Sequence, residues 1–221
     1  MLGQAVVPLV LTLKVAGFAT LLALLSGALC GFLLARCNFW GRDVLDAMCT
    51  LPLVMPPTVL GYYLIVLIGR RGWIGGWLHD TLGINLMFTW QGAVLASAVV
   101  AFPLVFKSAR AAFEGVDTQL ENAARTLGSS EMRVFLRVTL PLAWRGILAG
   151  TMLAFARGMG EFGATLMVAG NIPGKTQTLS LAVYDAVQAG QDDLANFLVL
   201  VTSIVCVLIL VASGKLFKPA Y

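Results

Sequence analysis

Residues 15–35 read VAGFATLLALLSGALCGFLLA, a run of 21 residues without one charged side chain. An α-helix rises about 1.5 Å per residue, so about 20 residues cross a bilayer core that is roughly 30 Å thick. This stretch is therefore long and apolar enough to span a membrane as a helix.

Three further charge-free runs follow along the chain, with 23, 26 and 21 residues: 47–69, 81–106 and 194–214. A fifth apolar stretch, 146–169, is long enough to cross a membrane but contains Arg157 and Glu161. The pattern predicts an all-α transmembrane protein with about five membrane-spanning helices.

The composition is that of a protein whose solvent is mostly lipid. Apolar side chains make up 59% of the 221 residues and charged ones 12%, whereas a soluble domain carries about 25% charge. Disorder, a disulfide scaffold and an ordinary soluble enzyme are therefore excluded. The four cysteines lack metal-ligand spacing and His79 is the single histidine of the sequence, so we expect no metal site.

Lysine and arginine residues are unevenly divided between the predicted loops. If the helices alternate in direction, ten fall on one side and three on the other. Cytoplasmic loops carry the excess of basic residues, so we expect the N-terminus outside and the C-terminus in the cytoplasm. The same rule explains most of the net charge of +4 without a nucleic-acid partner. The ten are Arg36, Arg42, Lys107, Arg110, Arg125, Arg133, Arg137, Arg145, Lys215 and Lys218, and the three are Arg70, Arg71 and Lys175.

The segment 107–145 is a long polar stretch on the predicted cytoplasmic side and holds ten of the 26 charges. Within it, residues 117–128 predict a short helix. Asp117 or Thr118 is suited to cap its start, and Gly128 to take the left-handed position after its end.

A second short helix is expected over residues 130–138. Leu140-Pro141 would then open the next membrane helix, because proline is tolerated in a first turn. Two short helices joined by a glycine would form a protrusion that suits docking against a soluble partner.

The loop carries a spaced pattern: Ala123-Ala124, then Gly128, then nine residues, then Val138-Thr139-Leu140-Pro141. In this pattern, residues 114–141 resemble the EAA loop of bacterial ABC-importer permeases, although Asn122 stands where that family has Glu. The resemblance implies a cytoplasmic coupling loop that inserts into a separate ATPase subunit. The residues assigned to this coupling are Glu121, Asn122, Ala123, Ala124, Gly128, Leu140 and Pro141.

Four other segments carry a narrower resemblance. They read FARGMGEFGAT at 155–165, AGNIPGKTQT at 169–178, GRRGWIG at 69–75 and LPLVMPP at 51–57. Together they resemble the molybdate permeases of the molybdate and sulfate group of ABC importers. The likeness covers residues 9–210 and implies that residues 1–221 form a single permease domain.

The resemblance implies a type I ABC-importer permease fold in a bacterial plasma membrane. It also implies import of molybdate or tungstate by a homodimer, with two cytoplasmic ATPase subunits that bind ATP and magnesium, and an external oxyanion-binding protein. The chain itself would be neither an enzyme nor the holder of a cofactor. The alternatives are a sulfate or thiosulfate permease, an intramembrane enzyme and a free-standing channel.

One motif imitates a nucleotide site. Residues 169–176 match a loose P-loop pattern that ends in Gly174-Lys175-Thr176. A working P-loop needs a preceding strand and a cradle of backbone N–H groups, and Pro173 removes one of these donors. We therefore expect ATP to bind to a separate subunit.

Arg157 and Glu161 are the candidates for a role inside the membrane. They are four residues apart, so they share a helix face and can pair, and each is costly at membrane depth unless it faces a partner or a polar interior. They either line a translocation pathway or form a structural pair. The other expected pathway residues are Phe162, Gly163, Pro56 and Pro57, the prolines because they interrupt a predicted span.

Small residues recur every four positions on the Arg157 helix, at Gly146, Gly150, Ala154 and Gly158. Such a ridge allows another helix to approach closely. Arg70 and Arg71 lie on the opposite, external side. They either dock the binding protein or extend to the lipid interface beside Trp73 and Trp77.

Overall fold

The computed structural model describes residues 2–216, and within them the chain forms helices and no strand. We number eleven α-helices along the chain, with a π-helical turn, Phe135–Thr139, between α7 and α8. The bounds are α1 Leu2–Arg36, α2 Arg42–Val54, α3 Pro57–Ile68, α4 Trp73–Leu82, α5 Trp90–Glu114, α6 Thr118–Thr126, α7 Glu131–Val134, α8 Leu140–Met159, α9 Gly163–Ala169, α10 Leu179–Gln188 and α11 Asp192–Leu216.

Within the described residues, four helical stretches are long and apolar enough to cross a membrane: Gly3–Arg36, Trp90–Glu114, Glu131–Met159 and Asp192–Ile209. A fifth span results if α2 and α3 count together, although they are bent by 114° where they meet. The expectation of an all-α transmembrane protein with about five spans is therefore confirmed.

The charge-free run 81–106 does not coincide with a single helix, because the span that overlaps it is Trp90–Glu114. The structure ends α4 at Leu82, passes through Gly83 at a φ of +66°, and begins α5 only at Trp90. The side chain of Thr89 caps α5 by accepting a hydrogen bond from the N–H of Gly92 at 3.2 Å. A run without charged residues indicates a segment that can lie in the membrane. It does not indicate where a helix begins or ends, because capping residues and glycines determine those positions.

The prediction that Leu140-Pro141 opens the next membrane helix is confirmed for α8, which begins at Leu140 with Pro141 in its first turn, although no break precedes it. Residues 131–159 run without a break from α7 through the π-helical turn into α8. Pro141 has no N–H and its ring would crowd the carbonyl four residues earlier. The wider π turn, in which the N–H of Leu140 reaches the carbonyl of Phe135, accommodates the proline without ending the helix.

The centre of the molecule is the packing of α1, α5 and α8. The small-residue ridge of α8 faces α5 so closely that a Cβ atom on Gly150 would lie 2.4 Å from the Cβ of Ser108. On the other side of α5, a Cβ atom on Gly31 of α1 would lie 2.9 Å from the backbone nitrogen of Arg110. The predicted packing role of the ridge is therefore confirmed.

Helix α2 is attached in a different way. All of its residues are described and none is buried. Asp46 of α2 forms ion pairs with Lys107, at 2.6 Å, and with Arg110 of α5, and Arg42 pairs with Glu114 at 2.8 Å. Ion pairs therefore attach α2 to the C-terminal part of α5.

Candidate functional site

Two interrupted helices meet at one point. The first break, at Met55 and Pro56, separates α2 from α3, and the second separates α8 from α9. A Cβ atom on Gly163 would lie 2.9 Å from the Cβ of Pro57, and one on Gly61 would lie 2.6 Å from the Cβ of Met167. The helices that follow the two breaks, α3 and α9, therefore pack as a pair through glycines. This places the predicted pathway residues Pro56, Pro57 and Gly163 together.

The single span predicted over 146–169 is interrupted beside Glu161. Helix α8 ends at Met159, and α9 begins at Gly163. The side chain of Glu161 is almost fully buried, and its Oε1 accepts a hydrogen bond from the backbone N–H of Ala164 at 2.8 Å. Glu161 thus caps the helix that follows the break, a role that the sequence did not suggest.

Arg157 and Glu161 form an ion pair across this break, with 2.7 Å between Nη1 and Oε2. The contact is not aligned as a hydrogen bond, and among the described residues no other partner bonds to this guanidinium. The Arg157 side chain is 36% exposed, in contrast to 1% for Glu161. Arg157 therefore keeps N–H donors that are free to meet an anion.

A cavity of about 470 Å³ lies beside the same break, between α10 and α11. The ring of Phe162 borders it and lies 5.0 Å from the ring of Tyr184. Hydroxyl groups of Ser180, Thr202 and Ser203 also line it. The surroundings of Phe162 are therefore mainly apolar, since the hydroxyls of Ser180 and Thr202 already donate to the backbone carbonyls of Met159 and Leu198.

The predicted coupling loop forms as a helix followed by a tight turn. The side chain of Asp117 caps α6 by accepting from the N–H of Gln119 at 2.8 Å. Gly128 has a φ of +79°, and the N–H of Ser129 bonds back to the carbonyl of Ala124 at 3.1 Å. The predicted cap and the left-handed glycine are both confirmed.

Glu121 faces the body of the protein instead of the solvent. Its carboxylate is buried and accepts hydrogen bonds from Arg36 at 2.5 Å and from Thr139 at 2.6 Å. Sequence reasoning missed Arg36 and Thr139 because they lie 85 and 18 residues away, and no local pattern signals the pairing.

The outward face of the loop is formed by other residues. Arg125 holds it together through two bonds to Glu131, at 2.7 and 3.0 Å, and one to the side-chain oxygen of Asn122 at 2.8 Å. The hydrogen bonds that Arg125 donates to the Glu131 carboxylate raise the pKa of Arg125 above its ordinary value. Residues with exposed side chains in this loop and the turn that follows it include Leu120, Asn122, Ala123, Leu127, Met132 and Leu136.

Arg70 and Arg71 occupy the turn between α3 and α4 and are exposed. Neither forms an ion pair with any residue that the structure describes. Trp73, 91% exposed, and Trp77 follow directly on α4. This end of the molecule therefore presents two unpaired cations next to large apolar rings.

The segment that imitates a P-loop follows helix α9, where a P-loop has a strand. The hydroxyl of Thr176 is buried and held within its own turn, accepting from the N–H of Ile172 at 3.0 Å and donating to the carbonyl of Gly170 at 3.3 Å. Thr176 is therefore part of the turn's internal hydrogen bonding.

Comparison with known sequences gives a consistent result. The family described as "Binding-protein-dependent transport system inner membrane component" matches residues 27–220. The "Molybdenum transport system permease protein ModB" of Escherichia coli (strain K12) is 53% identical over 178 residues, which cover 80% of this chain and 78% of that protein. The "Probable sulfate transport system permease protein cysT" of Chlorella vulgaris is 35% identical over 184 residues, which cover 83% of this chain and 69% of that protein.

Among solved structures, the chain is similar to one described as "Inward facing conformations of the MetNI methionine ABC transporter: CY5 native crystal form". The TM-score is 0.75 at 19% sequence identity, and the match covers 98% of this chain and 95% of that one. The expected type I ABC-importer permease fold is therefore confirmed.

Proposed function

The chain belongs to the family of binding-protein-dependent transport system inner membrane components, and from that membership we propose that it is the transmembrane subunit of an ATP-driven molybdate importer. The observation that carries the proposal is the 53% identity to a molybdenum transport permease across most of both chains. Tungstate has the same charge and shape and is proposed as a second substrate.

Sequence identity gives less support to the alternative function as a sulfate permease. The sulfate permease relative is 35% identical over a similar length, in contrast to 53% for the molybdenum permease. Because both relatives are permeases, the alternative of an intramembrane enzyme is set aside.

The proposed complex contains two copies of this chain, two cytoplasmic ATPase subunits and an external oxyanion-binding protein. In this complex the ATPase subunits bind ATP and magnesium, and this chain contributes neither a cofactor nor a catalytic residue. The outward face of α6 and its turn is the proposed ATPase contact, since Leu127 and Met132 expose apolar side chains on a polar loop. Asn122 and Ala123 of the same loop are also exposed, and we include them in that contact.

The proposed pathway runs past the two helix breaks. Backbone groups freed at such breaks are tolerated in a membrane only where they face protein or a water-filled cavity. Arg157 is the proposed contact for the oxyanion, because its guanidinium keeps free donors and a fixed positive charge. Glu161 neutralises that charge when the pathway is empty, so the site binds the anion weakly and releases it.

We place the N-terminus outside and the C-terminus in the cytoplasm, from the distribution of basic residues. In this orientation Arg70 and Arg71 lie outside. Their exposure and lack of ion-pair partners among the described residues support a role in docking the binding protein.

The proposal is tested by deleting the gene and measuring cellular metal. Cells without the chain, grown at low molybdate, should contain far less molybdenum, and a plasmid copy should restore it. Sulfate uptake should be unchanged. If molybdenum stays normal while sulfate uptake falls, the chain is a sulfate permease subunit.

A further inference from the structure

Helix α6 is held to the rest of the protein by a charged group. All nine of its residues are described, and Glu121 is the one that is buried, with 4% exposed. A helix on a protein surface ordinarily buries an apolar stripe. A buried carboxylate is costly unless it is paired and fully hydrogen-bonded, so the partners of Glu121 decide whether α6 stays in place.

One oxygen of Glu121 serves two other parts of the fold. Its Oε1 accepts from Nη2 of Arg36 at 2.5 Å and from the hydroxyl of Thr139 at 2.6 Å. Arg36 is the last residue of α1, and Thr139 is the last residue of the π-helical turn that leads into α8. The second oxygen, Oε2, lies 3.9 Å from Nη2 of Arg125.

The π-helical turn contributes to this geometry. A π turn adds one residue to a helical turn, which rotates the residues on its two sides by about 100° relative to each other. Thr139 is the last residue of the π-helical turn, so the direction in which its hydroxyl points depends on this turn. The hydroxyl faces Glu121 in that arrangement.

We propose that Glu121 is a positioning residue that fastens α6 to α1 and α8, so that a displacement of α6 by the ATPase moves both membrane helices together. The inference rests on the proposed transport function and deepens it. The resemblance assigned Glu121 to contact with the ATPase, whereas here its carboxylate is used inside the permease. Exposed neighbours such as Asn122 and Leu127 remain available to contact the ATPase.

The first test uses the whole complex in proteoliposomes. Glu121→Gln keeps the shape of the side chain but removes the charge that pairs with Arg36. The variant should still co-purify with the ATPase and hydrolyse ATP. The molybdate transported per ATP should fall roughly fivefold or more, which is the lower end of a typical coupling free energy. The matched control is Asp43→Asn, an exposed carboxylate on α2 that forms no ion pair with any residue that the structure describes, and it should leave the ratio unchanged.

A charge swap and a milder variant complete this test. Arg36→Glu combined with Glu121→Arg should restore much of the ratio, a recovery that a simple loss of stability would not show. If Glu121→Gln does not assemble, Thr139→Val removes one hydrogen bond and leaves the ion pair in place. It should then lower the ratio to an intermediate value.

The second test needs no substrate and so separates this inference from the proposed function. Spin labels at Cys37, next to the end of α1, and at Gln119→Cys on α6 report the distance between the two helices. The distance should stay the same with and without ATP in the native complex and should change with ATP in Glu121→Gln. Native vesicles that fail to accumulate molybdate would refute the proposed function alone.

Three results would overturn the inference. One is an unchanged transport ratio in both Glu121→Gln and Thr139→Val. Another is loss of ATPase binding by Glu121→Gln with α6 still in place, which would mean that the carboxylate contacts the ATPase directly. The third is a distance between α6 and α1 that responds to ATP in the same way in native and variant complexes.

Discussion

Gly163 and Pro57 lie against each other where two membrane helices are both interrupted. A Cβ atom on Gly163 would be 2.9 Å from the Cβ of Pro57, closer than side chains approach. The contact joins the first residue of α9 to the first residue of α3. The half-helices beyond the two breaks are therefore positioned against each other at their starts, beside the ion pair of Arg157 and Glu161.

Gly163→Ala should push α3 and α9 apart, since the new methyl group has no space. Overpacking of this kind costs about 1–3 kcal/mol. We expect a lower unfolding midpoint for the purified complex and reduced molybdate uptake. Gly17→Ala is the matched control, because a Cβ atom there has nothing within 4 Å and the residue lies inside a helix. Equal behaviour of the two variants would contradict the packing of α3 on α9.

The ion pair of Arg157 and Glu161 is tested by a double-mutant cycle. Removing one partner of a fully buried pair costs about 3–5 kcal/mol, and the exposure of Arg157 should reduce that cost. Arg157→Met and Glu161→Gln should each lower the unfolding midpoint, and the double variant should recover part of it. Glu161→Gln retains an acceptor for the N–H of Ala164, so the cap of α9 should survive.

Transport by the double variant distinguishes the two roles of the pair. A pathway role predicts a stable complex that fails to accumulate molybdate, and this is the expected result. Arg145→Met, an exposed arginine at the start of α8, should transport normally. If the double variant is stable and fully active, the pair has no role in the pathway and serves the structure only.

Substitutions at Gly128 test whether the left-handed backbone conformation at this residue is needed for ATPase binding. Its φ of +79° is unfavourable for side chains by about 1–2 kcal/mol, and asparagine tolerates this region better than alanine. A Cβ atom there meets nothing within 4 Å, so any effect comes from the backbone alone. Gly128→Ala should weaken ATPase binding more than Gly128→Asn does. The reverse order in a co-purification assay would rule out a left-handed turn.

Local structure was predictable from sequence, whereas long-range contacts were not. The cap at Asp117, the turn at Gly128 and the break at Pro56 each depend on residues within one helical turn, and all three are present. The link from Glu121 to Arg36 spans 85 residues and has no local signal.

The break between α8 and α9 illustrates the same limit. The stretch around Glu161 contains no proline, so its hydropathy suggested one continuous span over 146–169. Helix α8 ends at Met159, and the Glu161 carboxylate then accepts from the N–H of Ala164 in the first turn of α9. Carboxylate capping inside a span depends on tertiary packing, which hydropathy does not report.

The orientation is tested by labelling single cysteines in sealed cells. After replacement of the native cysteines, Arg133→Cys should react only with reagents that enter the cytoplasm, and Lys175→Cys with reagents that stay outside. Both positions are exposed, so access depends on the side of the membrane. The opposite labelling pattern would overturn the orientation and the position of the ATPase contact.

The central claim, ATP-driven import of molybdate, is tested most directly by uptake into proteoliposomes. Vesicles containing this chain and its ATPase, with the loaded binding protein outside and ATP inside, should accumulate radioactive molybdate. Accumulation should stop without ATP, and an excess of sulfate should not compete. Molybdate uptake that proceeds without ATP, or vesicles that accumulate sulfate but not molybdate, would contradict the account.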